Sequence, residues 1–117
     1  MRDFRKLDVW IDSIKLAEDI YRITAKFPRE EKFGLVSQMN RASVSISSNI
    51  AEGASRRTKK HFASFIDISM GSAFELETQL IISESLNMVS KEEFNAILPY
   101  LHNLQRRINA LRSSILR

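Results

Sequence analysis

Gln38, Arg41, Ser45, Asn49 and Glu52 recur at steps of three and four residues, beside a second row at the same kind of step, Leu35, Met39, Ala42, Ile46 and Ile50. On a helix each row occupies its own face. The apolar face needs a core, while the polar face carries amides, a hydroxyl and two opposite charges. Such a row can form a satisfied network at a helix contact, with Arg41 pairing Glu52 of another helix or another subunit, or it can hold a ligand. Structure or assembly is the stronger reading, because buried polar groups require partners wherever they occur.

A different chemistry gathers just beyond that row. Arg56, Arg57, Lys59, Lys60 and His61 fall within six residues, and Arg106, Arg107, Arg112 and Arg117 follow near the C-terminus with almost no acid in the same stretch. Cations in a loop that leads into a helix N-terminus suit phosphate, since free backbone donors and the helix dipole favour an anion at the same place. The competing reading is a solvated rim whose charges only keep the particle soluble.

Catalysis finds little to work with. His61 and His102 are the only histidines and there is no cysteine, so disulfides, thiolate metal sites and cysteine nucleophiles are excluded. No pair of Glu-x-x-His segments of the kind that holds a di-iron centre in a helical bundle is present, and no metal or cofactor is expected. Serines are plentiful without a Gly-x-Ser-x-Gly elbow or a glycine-rich phosphate loop. The chain therefore reads as a non-enzyme. Trp10, Tyr21, Phe62, Phe65 and Phe74 have the face to stack on bases, but their helical spacing assigns most of them to the core or its edge.

The elements that must position these residues are helices. With 117 residues, 44% hydrophobic and 27% charged, the sequence fits one globular domain over 1–117. No stretch approaches the roughly 18 consecutive apolar residues of a membrane span. The start Met-Arg-Asp-Phe-Arg-Lys lacks a secretory signal, so the cytoplasm is the expected address. The formal net charge of +4 permits an anionic partner without demanding one.

Leu7, Trp10, Ile14, Ala17, Tyr21 and Thr24 predict a first helix that stops near Phe27-Pro28. A second is predicted from about Glu31 to Glu52, closed by a left-handed Gly53, and followed by a loop from Ala54 to His61. Thr58 caps a third, whose inward row is Phe62, Ile66, Ser69, Ala73, Leu76, Leu80 and Ser83. The small residues Ser69, Gly71, Ser72 and Ala73 predict that another helix comes close there. Ser90-Lys-Glu-Glu93 is a capping box for a fourth helix running along Phe94, Ile97, Leu101, Leu104, Ile108, Leu111 and Ile115. Pro99 predicts a kink near Asn95 or a later helix start. Short connections favour antiparallel neighbours, so the expected architecture is all-α, an up-down-up-down four-helix bundle.

Three segments carry a family resemblance: Phe4-Arg-Lys-Leu-Asp-Val-Trp10, then Arg41-Ala42 with Ser45-Ile46 and Asn49-Ile50-Ala51-Glu52-Gly53, then Met70-Gly-Ser-Ala-Phe-Glu-Leu-Glu77. In these the chain resembles the four-helix-bundle family known as 23S rRNA-intervening sequence proteins. The resemblance implies assembly into ring-like homopentamers, with the Gln38 to Glu52 row facing a neighbour or the ring axis. The accessory proteins of diversity-generating retroelements are similar in bundle class and act beside a reverse transcriptase, which implies RNA or DNA, or a nucleic-acid-processing protein, as partners. The resulting expectation is a non-enzymatic homo-oligomeric binding or scaffold module that touches nucleic acid through Arg56, Arg57, Lys59, Lys60, Arg106 and Arg107. A protein-protein adaptor without a nucleic-acid role is the alternative.

Overall fold

A computed structural model describes residues 2–117. Its long elements are α1 (Asp8–Thr24), α2 (Leu35–Ala54), α3 (Lys59–Ser85) and α4 (Lys91–Leu116), with single 3-10 turns at Phe4–Lys6 and Arg29–Glu31. The described residues contain no strand. Around the bundle the order is α1, α2, α3, α4, so that α1 and α3, like α2 and α4, lie on the diagonals.

Side-chain contacts tie neighbouring helices together along their lengths. Ser69 donates to the Ile46 carbonyl at 2.8 Å, while Ser83 reaches the Met39 sulfur at 3.4 Å. On the other side Arg112 meets Asp67 at 2.5 Å and Gln105 donates to Glu77 at 2.8 Å. Between α1 and α4, Tyr100 donates to the Asp12 carbonyl at 2.9 Å and Lys26 pairs with Glu93. Leu16, Ile20, Met39, Ile46, Ile50, Ile66, Leu76, Leu80, Leu101, Leu104 and Ile108 fill the middle with almost no exposure. The predicted inward rows of α3 and α4 both line this core.

The helix ends explain themselves through their caps. Thr58 Oγ1 accepts from the His61 amide at 3.1 Å, and Ser90 Oγ accepts from the Glu93 amide at 3.1 Å, each satisfying a donor left free in a first turn. At the other end of α3, Asn87 adopts a φ of 62°. Its amide reaches Glu84 and that of Met88 reaches Ser83 at 2.8 Å, the paired bonds of a Schellman turn with asparagine in the left-handed position.

Four expectations about the elements change. α2 begins at Leu35 rather than near Glu31, because Glu31 stands outside the helix and its Oε1 accepts from the Leu35 amide at 3.2 Å. Lys59, Lys60 and His61 form the first turn of α3 instead of extending the loop. α4 starts at its capping box and runs unbroken through Pro99. Pro99 and Asn95 are both exposed, so the carbonyl that loses its intrahelical donor is solvated. Gly53 is helical and its φ is negative, which removes the predicted left-handed cap.

Gly53 serves packing instead. A Cβ there would stand 2.8 Å from Phe65 Cβ and 3.2 Å from the Phe62 carbonyl oxygen, both tied to the α3 backbone. The predicted close approach is realised at Ser69 and Ala73, which are fully buried, and at Ser72, which donates to Ser45 Oγ at 2.9 Å. Gly71 takes no part, since a Cβ added to it meets nothing within 4 Å.

Gly53→Ala would gain up to about 1 kcal/mol of helix propensity on an unconstrained surface. Here it must push α2 off α3, and a net destabilisation of about 1–3 kcal/mol is expected in urea titration. Gly71→Ala is the control and should stabilise by a few tenths to about 1 kcal/mol.

Candidate nucleic-acid interface and polar groove

One end of the bundle collects cations from four parts of the chain. The turn between α2 and α3 supplies Arg56 and Arg57, the first turn of α3 supplies Lys59 and Lys60, α4 ends there at Arg117, and the N-terminal segment adds Arg2. Local bonds fix this convergence. The Arg2 amide donates to the Ala54 carbonyl at 3.1 Å, and Lys59 Nζ donates to the Arg117 carbonyl at 2.9 Å. Between them lies a cleft of about 230 Å³ lined by Arg2, Arg56, Arg57, Thr58, Lys59 and Phe62, with Ala54, Ser114 and Ile115 behind.

No Asp or Glu lines that cleft, and among the described residues Arg2, Arg56, Arg57 and Lys60 have no ion-pair partner, while the Lys59 ammonium is held by the Arg117 main-chain oxygen. Two of these cations rest on aromatic rings. The Arg56 guanidinium lies 4.6 Å above the centre of the Phe65 ring and that of Arg2 lies 5.8 Å above Phe62. The free amides at the start of α3 add partial positive charge to the same place. This arrangement can bind phosphate oxygens, and it carries no base-reading geometry.

The second basic patch does not form as expected. Arg107 pairs with Asp12 of α1 at 2.7 Å and donates to Asn103, while Arg112 is held by Asp67 of α3. The acids missing from the α4 sequence come from the helices beside it. Arg106 is exposed without an acid partner among the described residues, so of the two α4 candidates Arg106 and Arg107 only the first remains a free cation.

The polar row on α2 is half satisfied. Asn49 Nδ2 donates to the Ser45 carbonyl at 2.8 Å and to Ser45 Oγ at 2.9 Å, and Ser45 Oγ also accepts from Ser72 of α3. Arg41 and Glu52 are exposed, and neither has an ion-pair partner within the described chain. Gln38, Arg41 and Ser45 face Ser72, Glu75 and Gln79 across a groove of about 430 Å³ between α2 and α3. Gln79 is 6% exposed, and its Oε1 is buried with no hydrogen-bond partner. An orphaned buried acceptor in a native fold needs an explanation.

Sequence reasoning missed the α3 half of this groove. Ser72 and Gln79 are two turns apart on the side of α3 that meets α2, a spacing visible once the inward row is known. Of the five aromatics assigned mostly to the core or its edge, Phe74 and Tyr21 are 53% and 49% exposed. Phe62 is buried, and Trp10 and Phe65 are half-buried. On α1 the core is filled by Val9, Leu16, Ile20 and Ile23, while Trp10, Ile14, Ala17 and Tyr21 of the predicted row lie at its edge or outside it.

The histidines occupy unlike settings. His61 is exposed at the basic end, while His102 Nε2 lies 3.0 Å from Glu77 Oε2 between α3 and α4. The Gln105 amide and His102 hold the Glu77 carboxyl below its ordinary range. Lys26 does the same for Glu93 at the α1–α4 contact. No group of three metal-ligating side chains occurs among the described residues.

Residues 5–110 match the family model described as 23S rRNA-intervening sequence protein. The fold is similar to the crystal structure of a protein with unknown function from the S23 ribosomal protein family of Bacteroides thetaiotaomicron, with a TM-score of 0.82 and 21% identity over 89% of this chain and 97% of that one. No curated protein matches this chain.

Both depressed carboxyls contribute stability that is complete above the ordinary glutamate range and is lost as pH falls through their lowered values. The melting temperature should therefore drop on acidification below about pH 4. Glu77→Gln should flatten part of that acid limb in thermal melts followed by circular dichroism.

Proposed function

The chain belongs to the 23S rRNA-intervening sequence protein family, and from that premise we propose that it is a non-enzymatic, homo-oligomeric binding module whose partner is RNA or DNA. Its four helices run up-down-up-down, a topology supported by the opposed residue order of every neighbouring contact. The subunit number in this reading is five, taken from the family resemblance. The protein works in the cytoplasm, beside a nucleic-acid-processing protein of the kind that retroelement accessory proteins serve.

The observation that carries the partner is the basic end, with Arg2, Arg56, Arg57 and Lys59 around a cleft that no Asp or Glu lines and Lys60 exposed beside it. Each subunit offers only a few weak phosphate contacts. An oligomer repeats them at fixed distances, and linked weak contacts raise overall affinity by orders of magnitude. Binding of this kind displaces counterions, so it weakens with salt and discriminates poorly between sequences.

Filter binding or fluorescence anisotropy against an unrelated RNA and a duplex DNA tests this. Affinity should fall with salt at a log–log slope of about −3 to −4 for each subunit engaged on duplex DNA. Replacing Arg56, Arg57, Lys59 and Lys60 together by alanine should weaken binding at least about tenfold and flatten that slope, with mass and helicity unchanged. No binding by the parent protein at low salt, or undiminished binding by the fourfold variant, would move the protein-adaptor reading ahead.

A further inference from the structure

Apolar side chains are not confined to the inward face of α3, although Asp67, Glu75 and Thr78 share its outer surface. Its inward row is buried, yet Ile68, Phe74, Ile81 and Ile82 lie on its outer surface at 52, 53, 48 and 43% exposure. Large apolar side chains left on an outer helix face are a surface that a partner can bury. Gly71 lies on the same outer surface beside open space, so packing within one chain gives no reason for a mid-helix glycine that costs about 1 kcal/mol against alanine.

Beyond α2 runs a second groove, of about 610 Å³, between α1 and α2. Phe4, Trp10, Ile14, Ala17, Tyr21 and Val44 make it largely apolar. Between this groove and the polar one stands the outward crest of α2. Ser37, Val44, Ser48 and Ser55 keep that crest low, and Arg41 and Glu52 are its charged residues.

Resting on the oligomeric reading above, we propose that α3 of one copy lies in the α1/α2 groove of the next copy, which lays that neighbour's α2 against the polar α2/α3 groove. The two surfaces match in kind. The apolar outer face of α3 meets the apolar groove, with Gly71 giving the backbones room to approach. The neighbour's Arg41 comes opposite Glu75, and its α2 crest brings hydroxyl or guanidinium donors toward Gln79 Oε1. Arg41, Glu75 and Gln79 Oε1 all lack such a partner within one chain, so the polar groove is incomplete without the second copy.

The contact joins two different faces and is therefore heterologous, which closes into a ring when the geometry permits. Both faces flank α2. In a square bundle they meet at about 90°, near the wedge of about 90° or 72° that four or five copies need. α2 then stands toward the ring axis and α4 outward.

The chain has no cysteine, so introduced thiols are the only ones present. Glu18→Cys and Thr78→Cys in one chain, at a concentration where light scattering shows the native mass, should give a ladder with a short bis-maleimide that ends at the subunit number. Glu18→Cys with Ala110→Cys, the latter on the outer side of α4, should give none. A ladder from Thr78→Cys alone, a ladder from the α4 pair, or no ladder from the first pair in a protein of oligomeric mass overturns this arrangement and leaves the ring standing. A monomeric mass overturns both. Ile68→Glu with Ile82→Glu alters exposed positions only, and should raise the concentration at which the assembly dissociates at least about tenfold without loss of helicity. Unchanged assembly by that variant also overturns the arrangement.

Discussion

Gly53 sits where any side chain would strike the α3 backbone, and the distance between α2 and α3 is set there. Helices this close leave little room for bulk at their seam, so the seam is filled by Ser69, Ala73 and Ala42, with Ser43 buried on the α1 side of α2. Each hydroxyl placed in such a seam needs an acceptor. Ser69 finds the Ile46 carbonyl across the seam, while Ser43 and Ser83 return to carbonyls of their own helices three and four residues back. The buried serines Ser43, Ser69 and Ser83 thus serve packing, each with its hydroxyl satisfied by a carbonyl. The same closeness leaves large apolar side chains of α3 with no room on that side, and several of them lie outside.

Charge is distributed by a related economy of contacts. Asp12, Asp67, Glu77 and Glu93 stand along the flanks of the bundle, where each one holds a basic or amide group from the neighbouring helix. These pairs are partly exposed, so each contributes little stability on its own, and their larger effect is to remove cations from the flanks. Positive charge survives mainly where four chain segments end together around a cleft that no Asp or Glu lines. A net charge of only +4 therefore produces a concentrated field at one place.

Much of this was legible in the sequence because it is local or periodic. The four helices, the caps at Thr58 and Ser90, and the inward rows of α3 and α4 depend on spacing within one element. What escaped depends on a second element. The acids beside Arg107 and Arg112 are on α1 and α3, more than 40 residues away in sequence, and the meaning of Gly53 lies in Phe62 and Phe65 of another helix. Glu31 belongs outside α2 because its side chain accepts from the Leu35 amide, a bond that composition cannot distinguish from a place within the first turn. The Gln38 to Glu52 row was visible as a pattern, but its division into a satisfied half at Ser45 and Asn49 and an unpartnered half at Arg41 and Glu52 required knowing where Ser72 lies.

The basic end and the assembly surfaces constrain one another through symmetry. A head-to-tail ring repeats one rotation, which keeps every bundle pointing the same way along the axis. The turn between α2 and α3 of every subunit then falls on one rim, and the opposite rim carries the mixed charges of Arg29, Glu30, Glu31 and Lys32. Two-fold pairing of antiparallel bundles would instead send the cations to both ends of a particle more than 40 Å long, since one chain alone extends 43 Å. Charges more than a Debye length of about 8 Å apart act almost independently in physiological salt. The proposed ring would gather the weak sites onto a single face, where one flexible strand could span several of them at once.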